Sequence, residues 1–123
     1  MLEFTDAVAE IVRESGIQTG LCVVFCCHTS CSLMIQENAD PSVQVDIMNW
    51  LERIAPDGDP HYIHNAEGPD DMAAHLRTIL SHTSESIPVS NGRMALGTWQ
   101  GIYLVEHRTS PHSRKIVVQV MGE

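Results

Sequence analysis

The chain is short of positive charge. Lys and Arg total 7 of its 123 residues, Asp and Glu total 16, and the formal charge is −9. That balance excludes a general nucleic-acid binder, whose affinity rests on a basic footprint. Charged residues make up only 19% against 43% hydrophobic, so the chain is not an acidic disordered tail either. No apolar run approaches the ~20 residues of a membrane-spanning helix. Met1-Leu2-Glu3-Phe4 lacks the basic-then-apolar start of a signal peptide. No internal repeat, long linker or low-complexity segment is present. What remains is a soluble cytoplasmic protein, with residues 1–123 as one domain that can bury roughly two-thirds of its unfolded surface.

No two cysteines have the two-residue spacing of a zinc knuckle or a thioredoxin-like site. Cys22, Cys26, Cys27 and Cys31 crowd into the most apolar stretch of the chain. Strand alternation places Cys22 and Cys26 on one face and Cys27 and Cys31 on the other. They read as reduced, buried core residues.

Thr5 to Glu14 reads as a helix with Thr5 as its cap, an Ala7, Val8, Ile11 and Val12 stripe, and Gly16 as its stop. Gly20 to His28 reads as a buried strand. Thr29 to Ser32 breaks it, and Leu33-Met34-Ile35 is expected to continue it after a kink or bulge. Asp40-Pro41 opens a second helix that ends near Pro56. A third runs from about Pro69 to Leu80. Strands follow at 86–89, 93–96, 102–107 and 114–121, with Asn91-Gly92 as a hairpin turn. The order helix, strand, helix, helix and then consecutive strands indicates an α+β fold with about three helices and a largely antiparallel or mixed sheet.

Seven histidines in 123 residues is a high load. His28 ends the buried strand, and His107 ends a later one. His64 precedes Asn65-Ala66-Glu67-Gly68-Pro69-Asp70-Asp71, and His75 lies four residues after Asp71. Side chains four apart on a helix are neighbours, which suits a ligand pair or a carboxylate orienting an imidazole. Imidazoles converging from strand ends and a helix, with one position left open, describe a catalytic zinc site. Each ligand would hand its other nitrogen to an acceptor, for which Glu67, Asp71 and Glu106 are candidates. The plainer alternatives are polar strand ends and ordinary first-turn acids. His61, His82 and His112 read as exposed.

The segment from Gly97 to Tyr103 sets two glycines around Trp99-Gln100. It reads as a bulge with a packed Trp, or else as a ligand wall or subunit contact.

His28-Thr29-Ser30, Glu37-Asn38-Ala39-Asp40-Pro41, Glu67-Gly68-Pro69-Asp70-Asp71-Met72 with His75, and Gly97-Thr98-Trp99-Gln100-Gly101-Ile102-Tyr103 with Glu106-His107-Arg108 occur in this order. Together they resemble the YjbQ family, also called the secondary thiamine-phosphate synthase enzyme family. The resemblance covers nearly the whole chain. It implies a small α+β domain, a homotrimer in the cytoplasm, a secondary thiamine-phosphate synthase activity and a divalent metal, zinc, near histidines. It carries over onto His28, His64, His75 and His107 as metal or active-site candidates, with Glu67, Asp71 and Glu106 as their carboxylate neighbours. The strand-containing segment that usually precedes the first helix is expected to be absent or shortened here.

The expected reaction joins a pyrimidine diphosphate to a thiazole phosphate and releases pyrophosphate, as a main or a side activity. A departing pyrophosphate needs charge neutralisation by a metal and basic groups, for which Arg93, Arg108 and Lys115 are the candidates. Glu67 or Glu106 would serve as general base. Phosphate-ester hydrolysis at the same site, non-enzymatic metal or metabolite binding, and a structural oligomer module are the other readings. From residue 92 onward the net charge is +2, which leaves −11 for residues 1–91. A carboxylate-rich site of this kind needs a cation before it accepts a phosphorylated small molecule.

Overall fold

Residues 1–123 are described by a computed structural model. The elements are β1 (Leu2–Glu3), α1 (Thr5–Ser15), β2 (Thr19–Cys26), β3 (Cys31–Glu37), α2 (Pro41–Ile54), α3 (Asp71–Ile79), β4 (Ser84–Ser90), β5 (Arg93–Met94), β6 (Gln100–Glu106) and β7 (Ile116–Gly122). They form two antiparallel sheets, β1-β6-β3 and β5-β4-β2-β7. No helix is long and apolar enough to cross a membrane.

The core lies between the sheets. Cys22, Val24 and Cys26 of β2 and Ile87 and Val89 of β4 meet Cys31 and Leu33 of β3 and Ile102 of β6. Alternation along each strand turns these residues inward. Val8 and Val12 of α1, each 1% exposed, complete the cluster. The other face of the β1-β6-β3 sheet carries buried Ser32, Tyr103 and Val105 and is met by α2 and α3. Gln44 of α2 donates to the Tyr103 hydroxyl at 2.9 Å, and Ser81, just past α3, donates to Ser32 Oγ at 2.6 Å.

Several local expectations are met and several are corrected. Gly16 ends α1 at φ 72°. Asp40 accepts from Ser42 N ahead of Pro41, as a cap should. Asn91 and Gly92 both have positive φ, 52° and 75°, the requirement of a tight hairpin turn. Thr5 is the first helical residue rather than the cap. Its hydroxyl donates to Glu3 and accepts from Ile102 N, tying the helix start to β6.

The break after residue 28 is more than a kink. Cys27–Ser30 carries the chain from one sheet to the other, so β3 is a separate strand of seven residues paired with β6. Its outer edge is held by His82, whose backbone exchanges both hydrogen bonds with Leu33. The Trp of the glycine segment is 61% exposed and not packed. Gly101 is needed for space, because a Cβ there would sit 2.6 Å from Glu3 Oε2 and 3.0 Å from Asn38 Cβ. A short β1 does precede the first helix, pairing Leu2 and Glu3 with Leu104 and Tyr103.

Candidate metal centre

Helix geometry builds the first half of the site. Asp71 opens α3 and His75 follows one turn later, so both project from one face. Asp71 Oδ2 lies 3.2 Å from His75 Nε2. The loop before α3 brings His64 Nε2 to 2.8 Å from the same oxygen. The ligand atoms of these three residues all lie within 4.8 Å of one another. Asp71 is 3% exposed, His75 30% and His64 51%, so the cluster is anchored at the carboxylate and open toward His64.

The proton on His75 is assigned by its partner. Nδ1 lies 2.8 Å from the carbonyl oxygen of Thr29. A carbonyl can only accept, so Nδ1 donates. In the neutral ring Nε2 then carries a lone pair, and that lone pair faces a carboxylate oxygen. Two acceptors at this distance repel unless a cation lies between them or the ring takes a second proton. A ligand histidine normally has its other nitrogen held by a carbonyl or carboxylate in this way. Metal–ligand bonds of about 2.0–2.2 Å in a tetrahedral zinc site put neighbouring donors roughly 3.3 Å apart. The 3.2 Å separation and the two-imidazole, one-carboxylate donor set match such an ion, while the 2.8 Å His64–Asp71 contact is a direct hydrogen bond that would open by about half an ångström to admit it.

The second oxygen of Asp71 is held separately. Arg108 approaches Asp71 Oδ1 at 3.1 Å through one terminal nitrogen. Its Nε donates to Asp70 Oδ2 at 2.9 Å, and its other terminal nitrogen donates to the Glu67 carbonyl at 3.0 Å. Asp70, 6% exposed, also accepts from the backbone and hydroxyl of Thr109. The Arg108 guanidinium and the Thr109 amide hold the Asp70 carboxyl well below the usual carboxylate range. Burial works to raise Asp71, but the His64 hydrogen bond, His75 and Arg108 outweigh it and lower it. Asp71 thus stays ionised, with one oxygen engaged and one directed at the two imidazoles.

Of the other candidates, Arg108 and Glu67 border the cluster and the rest lie outside it. His28 Nε2 accepts from Lys115 N at 2.6 Å and is not part of the three-donor cluster, although Thr29 beside it is the His75 partner. His107 is 2% exposed, with Nε2 2.8 Å from Ser32 Oγ and Nδ1 without a partner. Burial, reinforced by Arg77, pushes it down to about 4. Glu106 is bound by Arg114 and by Arg108 N. Glu67 meets the cluster twice, its backbone carbonyl accepting from Arg108 and its side chain helping to lower Asp71. Arg108 is engaged by two carboxylates. Arg93 lines a different cavity, of about 720 Å³, with Asp6, Glu10 and Arg13. Lys115 is exposed beside His28. A cavity of about 330 Å³ opens beside His64, with Tyr62, Asn65 and Gly68 in its wall.

Three contributors escape sequence reasoning. The Thr29 carbonyl carries no side-chain signal. Asp70 reads as an ordinary first-turn acid. Arg77, 6% exposed, donates to the carbonyls of Ala55 and His107 and to Asp57, pinning the loop that delivers His64. The Asp-Asp doublet was the one available clue, since two adjacent carboxylates at a helix start can take different partners.

The fold and this cluster define a small α+β domain with two imidazoles and one carboxylate gathered at a helix start. The family described as UPF0047 protein YjbQ-like matches residues 1–123. A UPF0047 protein of Synechocystis sp. is 51% identical over 120 residues, 98% of this chain and 82% of the relative. The UPF0047 protein YjbQ of Salmonella typhimurium is 42% identical over 121 residues, covering 98% and 85%. A YjbQ/UPF0047 family crystal structure from Clostridium acetobutylicum superposes with a TM-score of 0.90 at 40% identity, covering 98% of this chain and 89% of that one. The chain belongs to the YjbQ/UPF0047 family.

Proposed function

We propose that this protein is a divalent-metal-dependent enzyme acting on a small phosphorylated substrate, with zinc held by His64, Asp71 and His75. The observation that carries this reading is the His75 ring. Its Nδ1 is held by Thr29, so its Nε2 lone pair is turned toward Asp71 and His64. Three protein donors and an accessible side leave room for a substrate atom. A bound divalent cation supplies charge neutralisation and Lewis acidity toward a phosphate oxygen. Arg108 orients Asp71 and joins His64 and His75 in keeping it ionised, and the cavity beside His64 receives the rest of the substrate.

The reaction to which the family resemblance leads is the joining of a pyrimidine diphosphate to a thiazole phosphate, as a main or a side activity. A second reading, hydrolysis of a phosphate ester at the same centre, draws on the arginines. Arg108 and Arg114 are both held by carboxylates, which leaves the metal to neutralise the charge that develops on a leaving phosphate. A homotrimer is part of the proposal and has apolar surface to close on. Phe25, Val117 and Met121 are exposed along paired strands of the β5-β4-β2-β7 sheet.

The test is metal analysis of purified protein, followed by assay of the zinc-loaded enzyme for thiamine-phosphate formation and for phosphate release. Stoichiometric zinc and turnover abolished by Asp71→Asn support the reading. Stoichiometric zinc without turnover in either assay would make the protein a binding module instead.

A further inference from the structure

We infer that Cys26 and Cys31 form an oxidisable dithiol whose disulfide re-aims the carbonyl that holds His75; the second half of this inference rests on the metal reading above. The two sulfur atoms are 3.4 Å apart, and the Cys26 thiol also donates to the Cys31 carbonyl at 3.6 Å. Cys26 ends β2 and Cys31 begins β3, so a bond between them would staple the two sheets. Disulfide sulfurs are about 2.05 Å apart, so closing the bond shortens the present contact by about 1.4 Å. Cys22 has no such neighbour, and Cys27 is exposed on the opposite face of the chain.

The pair differs in reach. Cys26 lines an open cavity of about 400 Å³ with Cys27, His28, Thr29 and Thr83. Cys31 is fully buried and lines none of the cavities described above. Burial and the neighbouring Cys26 push the Cys31 thiol up to about 12, so it remains protonated. Both thiols are buried, Cys26 at 2% and Cys31 at 0% exposure, and only Cys26 belongs to a residue that borders the open cavity, so first attack is placed at Cys26 and resolution at Cys31. With a peroxide, the Cys26 thiolate attacks one oxygen, the O–O bond breaks, and sulfenic acid and hydroxide form. Condensation with the Cys31 thiol forms the S–S bond and releases water. Two electrons and two thiol protons leave the protein, and one peroxide becomes two waters.

The bond would act on the residues it encloses. Between the two cysteines lie Cys27, His28, Thr29 and Ser30. The Thr29 carbonyl holds His75 Nδ1. The Ser30 carbonyl accepts from His107 N and from Arg114, both at 3.3 Å. Drawing the loop ends together moves the Thr29 carbonyl and loosens one ligand. Loss of such an outer partner typically lowers metal affinity about 10- to 100-fold.

The experiment treats the whole protein with hydrogen peroxide and follows thiol content, intact mass and zinc affinity, with and without a reductant. The Cys27→Ser variant removes the exposed thiol, and Cys27→Ser/Cys31→Ala removes the resolving one. In Cys27→Ser, two of the three remaining thiols are expected to disappear, with the mass falling by two hydrogens. Zinc affinity is expected to fall about tenfold and to recover on reduction. In the double variant the two-hydrogen loss is absent. Added oxygen without loss of a thiol pair, or a thiol pair still lost in the double variant, overturns the dithiol. A disulfide that leaves zinc affinity unchanged overturns the coupling. Disulfide formation in a protein that binds no zinc when reduced overturns the metal reading and the coupling together, while the dithiol stands.

Discussion

Nδ1 of His75 donates a 2.8 Å hydrogen bond to the carbonyl of Thr29, and this fixes which face of the imidazole meets Asp71. A residue of the inter-sheet loop thereby sets the chemistry of a helix residue 46 positions away. The metal proposal follows from that contact, because it leaves a nitrogen lone pair aimed at a carboxylate.

Removing a donor tests the cluster directly. His64→Ala, His75→Ala and Asp71→Asn are each expected to weaken zinc binding by more than about 100-fold, beyond the usual effect of losing an outer partner. His28→Ala and Arg93→Ala are expected to leave it within about threefold, since neither residue belongs to the three-donor cluster. Isothermal titration of each variant with zinc separates the two groups.

Asp70 and Arg108 act through Asp71. Asp70→Asn weakens the grip on Arg108, which in turn holds Asp71 Oδ1. The expected result is a loss of zinc affinity of about tenfold with all three ligands intact. Arg108→Lys keeps the charge but cannot reach both carboxylates with the same fork, so it should fall between Asp70→Asn and the wild type. Competition with a zinc chelator measures both.

Arg77 is expected to matter for stability. Its guanidinium satisfies the Ala55 and His107 carbonyls inside the protein. Arg77→Leu leaves them unpaired, at a cost of roughly 2–4 kcal/mol. Urea unfolding of the variant gives the value, and an unchanged midpoint would show that water replaces the side chain.

The pH dependence of stability isolates His107. Its folded value of about 4 lies below its ordinary 6.5. Between those values the unfolded chain takes up a proton that the native protein refuses, so stability falls as pH drops from about 6.5 to about 4. The total is about 3 kcal/mol. Asp70, Asp71 and Glu106 are lowered in the native state, so their contributions are lost only at lower pH, as the carboxylates protonate. His107→Gln, which keeps a partner for Ser32, should flatten the 6.5-to-4 window and leave the acid limb in place. Urea midpoints across that range supply the measurement.

What could be read in the sequence was local. The Val8 and Val12 stripe, the Asp40-Pro41 helix start, Gly16 and Asn91-Gly92 each act within a few residues. The Asp71–His75 pairing belongs to the same class, because helix spacing alone makes them neighbours. What could not be read depended on distant partners. Alternation along a single strand assigns Cys26 and Cys31 to opposite faces, but a change of sheet at Cys27–Ser30 puts their sulfurs in contact. His107 directly follows β6 as expected, His28 lies in the inter-sheet loop two residues past β2, and Ser32 and Lys115 N claim their nitrogens. Arg108 carries a free-looking charge until Asp70, 38 residues earlier, captures it.

The most direct measurement is anomalous diffraction at the zinc edge from crystals of the zinc-loaded protein. The expected result is one peak per chain within bonding distance of His64 Nε2, His75 Nε2 and Asp71 Oδ2, about 2.0–2.2 Å from each. A protein that binds no zinc, or a peak held by His28 or His107 instead, would contradict the account.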